Sequence, residues 1–65
     1  MTLHNKLLKL KEHHYDDMSK KAQKLVDNCL DGLDGLGEVL DCEATIYLTD
    51  KQIDYINKTW ERYGQ

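Results

Sequence analysis

Apolar side chains recur every three or four residues from Leu3 to Cys29, and this spacing constrains the fold more than any other feature of the chain. It places the apolar side chains on one stripe of an α-helix, with most of the lysines on the other side. Thr2 is suited to cap the start of that helix. The stripe comprises Leu3, Leu7, Leu10, His14, Met18, Ala22, Leu25, Val26 and Cys29. The sequence therefore predicts an amphipathic N-terminal helix.

The length of this helix depends on whether the helix continues through residues 16–19 or breaks there. No Gly or Pro interrupts residues 1–31, which favours one long helix of about 40 Å. The alternative is a pair of helices with a break near Asp16, Asp17 and Ser19, because these short polar side chains can cap a second helix. We favour the single long helix.

A glycine-rich segment at residues 31–37 predicts the end of the N-terminal helix. Its three glycines each cost roughly 1 kcal/mol inside a helix. The spacing of the leucines nevertheless stays helical beyond the glycines, so a second short helix is expected over residues 38–44. Residues 45–48 are too few and too isolated to indicate a sheet, because a lone strand has no partner with which to pair.

The C-terminal helix has the clearest start signal in the chain. Thr49 and Gln52 have the spacing of a capping box, in which each side chain bonds the backbone N–H of the other residue. Leu48 is placed to pack on Ile53, and Gly64 can adopt the left-handed conformation that ends a helix. The face expected to dock on the N-terminal helix carries Ile53, Ile56, Trp60 and Tyr63.

The segment that begins Leu48-Thr49-Asp50-Lys51-Gln52 and continues as an amphipathic helix to Gly64 resembles a segment of small phage-encoded helical proteins. Similar segments occur at the ends of phage replication-associated proteins. The resemblance covers about a quarter of the chain. It implies a phage or viral origin, with the host cytoplasm as the location, and it assigns no catalytic residue.

These elements predict an all-α fold, either a helical hairpin or a small three-helix unit with a long N-terminal helix. Residues 1–65 form a single domain, because a chain of this size has too little core for two. A deep enzyme cleft is not expected in so small a domain. The sequence also contains no nucleophile beside a base and no glycine loop suited to phosphate. We predict a protein without enzymatic activity, cofactor or metal.

Charge is segregated along the chain although the net charge is only −3. Residues 1–24 carry six Lys against three acids, residues 25–50 carry seven acids and no Lys or Arg, and residues 51–65 carry one net positive charge. The acidic middle can attract a basic partner. We therefore predict a small interaction protein that binds another protein through helical faces or through Asp31, Asp34 and Glu38.

The apolar stripe suggests a second partner surface. A C-terminal helix of about 20 Å covers only half of a helix of about 40 Å. Leu3, Leu7 and Leu10 lie at the far end of the stripe and are expected to stay exposed in a monomer. A partner helix, or a second copy of the chain in a homodimer, would bury them.

Nucleic-acid binding is the alternative function. On the C-terminal helix Tyr55 is expected to lie opposite the Ile53 face, among Lys51, Lys58 and Arg62. An exposed aromatic ring can stack on a base while neighbouring cations hold phosphates. The lysines of residues 1–24 add to the positive charge available for such a ligand.

Calcium binding by a helix-loop-helix module is the second alternative. Residues 27–38 have the length of a calcium loop, with acids at positions one, five and twelve and Gly at position six. Cys29 replaces the usual oxygen ligand at position three, and Asp34 stands where such loops carry an apolar residue. An acidic turn without metal is the preferred interpretation.

Cysteine usage and the short apolar runs indicate the compartment. Cys29 and Cys42 are too few for a disulfide scaffold, and no basic segment leads into an apolar run as in a signal peptide. No run is long enough to span a membrane. We expect a cytoplasmic protein with no membrane partner.

Overall fold

The structure is a computed structural model that describes residues 1–64. Its helices are α1 (Leu3–Lys9), α2 (Lys20–Leu33), α3 (Asp41–Tyr47) and α4 (Asp50–Thr59). A π-helical turn (Leu10–His14) and a 3-10 turn (Tyr15–Asp17) prolong α1, and a second π-helical turn (Trp60–Gly64) prolongs α4. The all-α prediction with a long N-terminal helical segment is confirmed.

The chain breaks between α1 and α2, so the prediction of one helix from Leu3 to about Leu30 is wrong and the two-helix alternative is confirmed. Met18 is extended, with φ −85° and ψ 151°, and the Ser19 hydroxyl accepts a hydrogen bond from the Ala22 amide at 3.2 Å. The Gln23 side chain donates to the Tyr15 carbonyl at 2.6 Å and ties the two helices together. Because Ser19 satisfies a free amide of α2, the chain reverses here at little cost.

The glycine-rich segment ends α2 as expected, but the next helix begins later than predicted. Gly35 and Gly37 adopt positive φ angles of 79° and 71°, which a residue with a side chain rarely takes. Val39 is buried, and its amide donates to His4 Nδ1 at 3.1 Å. Leu40, the residue before α3, is extended, with φ −77° and ψ 156°, so α3 begins at Asp41 instead of residue 38 and takes in residues 45–47.

The capping box that opens α4 is confirmed. The Gln52 amide donates to Thr49 Oγ1 at 3.1 Å, and the Thr49 amide donates to Gln52 Oε1 at 2.8 Å. The expectation for Gly64 is wrong, since the positive φ angles of residues 1–64 occur only at Gly35 and Gly37. Gly64 belongs instead to the π-helical turn after α4. There it lies directly against the Trp60 ring.

The core is made by α1, α2 and α4, with α3 against the start of α1. The predicted face of α4 docks on it, with Ile56 fully buried and Ile53, Trp60 and Tyr63 partly buried. The expectation that Leu3, Leu7 and Leu10 stay exposed in a monomer is wrong. All three are buried, and Leu7 and Leu10 are 0% exposed, because α2 folds back beside α1 and covers the stripe.

Candidate binding surfaces

The acids of the central segment lie on the surface and are mostly unpaired. Asp31 lies in the last turn of α2, Asp34 caps its end, and Glu38 lies in the connection to α3; all three are exposed. Within residues 1–64 none of them takes part in an ion pair. Asp41 accepts a hydrogen bond from the Leu3 amide at 2.7 Å, which joins α3 to α1. This part of the surface therefore carries uncompensated negative charge.

Exposed apolar side chains lie in the same stretch of chain. Leu36 and Leu40 are 42% and 51% exposed in the connection, and Ile46 and Tyr47 are 75% and 46% exposed on α3. This exposure was not predicted, because the spacing of Leu36 and Leu40 indicates a helix but does not show whether another element covers them. The available signal was the shortness of α3, which can bury only Ala44. We define the acidic apolar surface by these side chains and the neighbouring acids: Leu36, Leu40, Ile46, Tyr47, Asp34, Glu38 and Glu43.

A depression adjoins the acidic apolar surface. It has a volume of about 360 Å³ and lies between α1 and the end of α2. Leu8 is 39% exposed at its edge, and Leu36 lies between two of its glycines. The depression is lined by His4, Leu8, Leu30, Leu33, Asp34, Gly35 and Gly37. Its lining is therefore largely apolar and contains one acid, Asp34.

Asp27 is set apart from the other central acids by its partners. It forms an ion pair with Lys11 and accepts a hydrogen bond from the Tyr15 hydroxyl at 2.7 Å. These hydrogen bonds from Lys11 and Tyr15 lower the pKa of Asp27. The bond to Asp27 in turn raises the pKa of both Lys11 and Tyr15. Asp27 thus joins α2 to the end of the N-terminal helical segment.

The structure does not form the loop required by the calcium alternative. Residues 27–33 belong to α2, so their side chains radiate from a helix instead of converging on an ion. Cys29, at the third loop position, is buried in the core, and this burial raises the pKa of its thiol. Across residues 1–64 no group of three or more His, Cys, Asp or Glu side chains is arranged to hold a metal.

The residues of the nucleic-acid alternative are only partly brought together. Tyr55 does not lie opposite the buried face, because it is partly buried and packs against the core. It lines a groove of about 180 Å³ between the start of α2 and the C-terminal half of α4, whereas Lys51 is not among the lining residues. We call this the α2–α4 groove; it is lined by Ser19, Ala22, Tyr55, Lys58, Thr59, Arg62 and Tyr63.

Comparison of the chain with protein-family models, curated proteins and solved structures finds no match. In the part of the chain that the structure describes, every helix is too short or too polar to cross a membrane.

Proposed function

We propose that this protein is a non-enzymatic interaction protein that binds another protein through the acidic apolar surface. The observation that carries the proposal is the exposure of four large apolar side chains within residues 36–47. Single exposed apolar residues are common, but four large ones within twelve residues of chain, among unpaired acids, favour a protein-binding role for this segment. Ile46 is the strongest example, since three quarters of it faces water.

The charge of the surface indicates the chemistry of the partner. Residues 25–50 carry seven acids and no Lys or Arg. Among the ion pairs of residues 1–64, the one that involves an acid of this segment joins Asp27 to Lys11. A partner with lysines or arginines beside apolar residues would compensate this charge and cover the apolar side chains together. We therefore propose a basic amphipathic helix of another protein as the occupant.

The depression beside the surface supports a helical partner. It offers a concave apolar place next to Leu36, where one apolar side chain of the partner helix can insert. Asp34 lies at its rim and can pair with a basic residue one helical turn away. Side chains that fill well-packed pockets from which water is excluded are the usual hot spots of binding.

Fluorescence anisotropy with a synthetic helical peptide tests the proposal. The probe is a labelled amphipathic peptide of Leu and Lys, and its control is the same peptide with every Lys replaced by Glu. We expect the basic peptide to bind and the acidic one not to bind. Ile46→Ser should weaken binding about tenfold, because it removes most of one buried side chain from the interface.

Charge variants distinguish binding at the acidic apolar surface from nonspecific attraction by the net charge of the protein. Glu43→Lys lies within the acidic apolar surface and should weaken binding several-fold. Glu61→Lys makes the same charge change at an exposed acid in the turn after α4 and should leave the Kd within about twofold. Equal losses in the two variants, or binding of both peptides alike, would contradict the proposal.

A further inference from the structure

The α2–α4 groove has a cationic wall that the proposed function does not use. Arg62 takes part in no ion pair within residues 1–64, and its guanidinium carbon lies 5.5 Å from the centre of the Tyr63 ring. Lys58 is paired with Asp54 at 3.0 Å, but both side chains are largely exposed. Such an exposed pair is worth little and yields readily to a stronger anion.

A mostly buried threonine, Thr59, lines the same groove. It is 6% exposed. Its hydroxyl takes part in none of the side-chain hydrogen bonds of residues 1–64. A threonine hydroxyl can donate one hydrogen bond, so Thr59 can serve a ligand that occupies the groove.

The opposite wall is the start of α2, a helix of 14 residues with no acid in its first turn. The Ser19 hydroxyl accepts from the Ala22 amide and keeps its own hydrogen free to donate. The N-terminus of a helix carries partial positive charge and favours an anion. The groove thus combines a helix N-terminus, two cations and two hydroxyl donors.

We propose that the α2–α4 groove binds a phosphate group. Arg62 suits this ligand because its planar guanidinium can donate two parallel hydrogen bonds to phosphate oxygens. Lys58 adds a positive charge, and the hydroxyls of Ser19 and Thr59 donate to the remaining oxygens. A volume of about 180 Å³ accommodates one phosphate group, with Tyr55 as a further wall of the groove.

The same phosphate chemistry can come from a free phosphate compound or from the backbone of a single strand of nucleic acid. Titrations of ¹⁵N-labelled protein followed by NMR distinguish the two sources, with inorganic phosphate, adenosine monophosphate and a short single-stranded DNA as separate probes. We expect at least one probe to shift the amide signals of residues 19–22 and 59–62. Saturation by inorganic phosphate or the mononucleotide indicates a small-molecule source, and saturation by DNA alone indicates the strand.

Variants of the groove make the test specific. Arg62→Gln should weaken binding about tenfold, and Thr59→Val, which keeps the side-chain shape, at least fivefold. Lys51→Gln removes the same charge from α4 outside the groove and should change the Kd less than twofold. The proposal is overturned if no probe shifts the groove amides at millimolar concentration, or if Lys51→Gln weakens binding as much as Arg62→Gln.

Discussion

At the scale of single residues, Asp27 differs from the other acids of the central segment because its charge is paired within the fold. Its neighbours in the central segment face water, whereas Asp27 is held by Lys11 and Tyr15. The Lys11 ammonium also lies 4.1 Å from the centre of the Tyr15 ring, so the three side chains contact one another. This contact joins α2 to the chain before the break at Ser19.

We expect this group to make stability depend on pH at both extremes. Folding lowers the pKa of Asp27. Its contribution to the free energy of unfolding is therefore complete at pH values above its ordinary pKa of 3.8, and it is lost as the pH falls through the lower pKa of the folded state. Folding raises the pKa of Tyr15 and Lys11, so their contributions are lost as the pH rises above 10.0 and 10.5. Urea denaturation of the wild type and of Asp27→Asn at several pH values measures this dependence. The urea midpoints of the two proteins should differ at pH 7 and converge in acid. A constant difference between the midpoints down to pH 2 would contradict a lowered pKa of Asp27.

Two glycines should respond to alanine in opposite directions. A methyl group on Gly64 would overlap the Trp60 ring, which makes an edge contact with His14 at 6.4 Å between ring centres. Gly64→Ala should displace the ring and cost about 1–3 kcal/mol of unfolding free energy. Gly32 lies within α2 with open space around it, so Gly32→Ala should stabilise by about 0.5–1 kcal/mol. Trp60 fluorescence and thermal melts measure both, and an unchanged emission spectrum for Gly64→Ala would contradict the close approach.

At the scale of elements, the start of α2 depends on Ser19. Ser19→Ala removes the hydroxyl that caps the Ala22 amide and should cost about 1 kcal/mol. Thr45→Ala, at an exposed hydroxyl inside α3, is the matched control and should change stability by less than about 0.5 kcal/mol. Chemical denaturation measures both variants. Equal effects would show that the cap does not hold the break.

Local signals in the sequence were enough for the elements that local bonds determine. The Thr49 and Gln52 capping box and the glycine-rich end of α2 follow from residues within one turn of each other. The chain reversal at Ser19 does not follow from such local signals, because the spacing of apolar side chains by three and four residues continues through the break. That spacing fits one helix or two helices equally well. The same ambiguity hid the acidic apolar surface, since spacing shows which side chains share a stripe but not which helix covers it.

Leu7 and Leu8 test where the N-terminal helix packs. Leu7 is 0% exposed and Leu8 is 39% exposed on the same helix. Leu7→Ala should cost about 2–5 kcal/mol because it leaves a cavity in the core, and Leu8→Ala should cost much less. A domain of this size has only a few kcal/mol to lose, so Leu7→Ala should be largely unfolded in circular dichroism. A folded Leu7→Ala protein would contradict the packing.

At the scale of the whole molecule, the folded chain removes the reason for predicting a dimer through its N-terminal leucines. Leu3, Leu7 and Leu10 already lie in the core of a molecule that measures 28 × 20 × 20 Å. We expect light scattering at tens of micromolar to give the mass of one chain, 7.6 kDa. Twice that mass would place a dimer interface elsewhere, with the exposed Ile46 and Tyr47 as the first candidates.

The segregation of charge along the chain has a kinetic consequence. A molecule with seven acids in its middle and basic residues toward both ends presents different potentials to an approaching ligand from different sides. A basic ligand is therefore turned toward one side before contact, which raises its association rate at low ionic strength. Added salt should slow association steeply while it changes dissociation little. Stopped-flow measurements over a range of salt concentrations would reveal this orientation even for a complex of modest affinity.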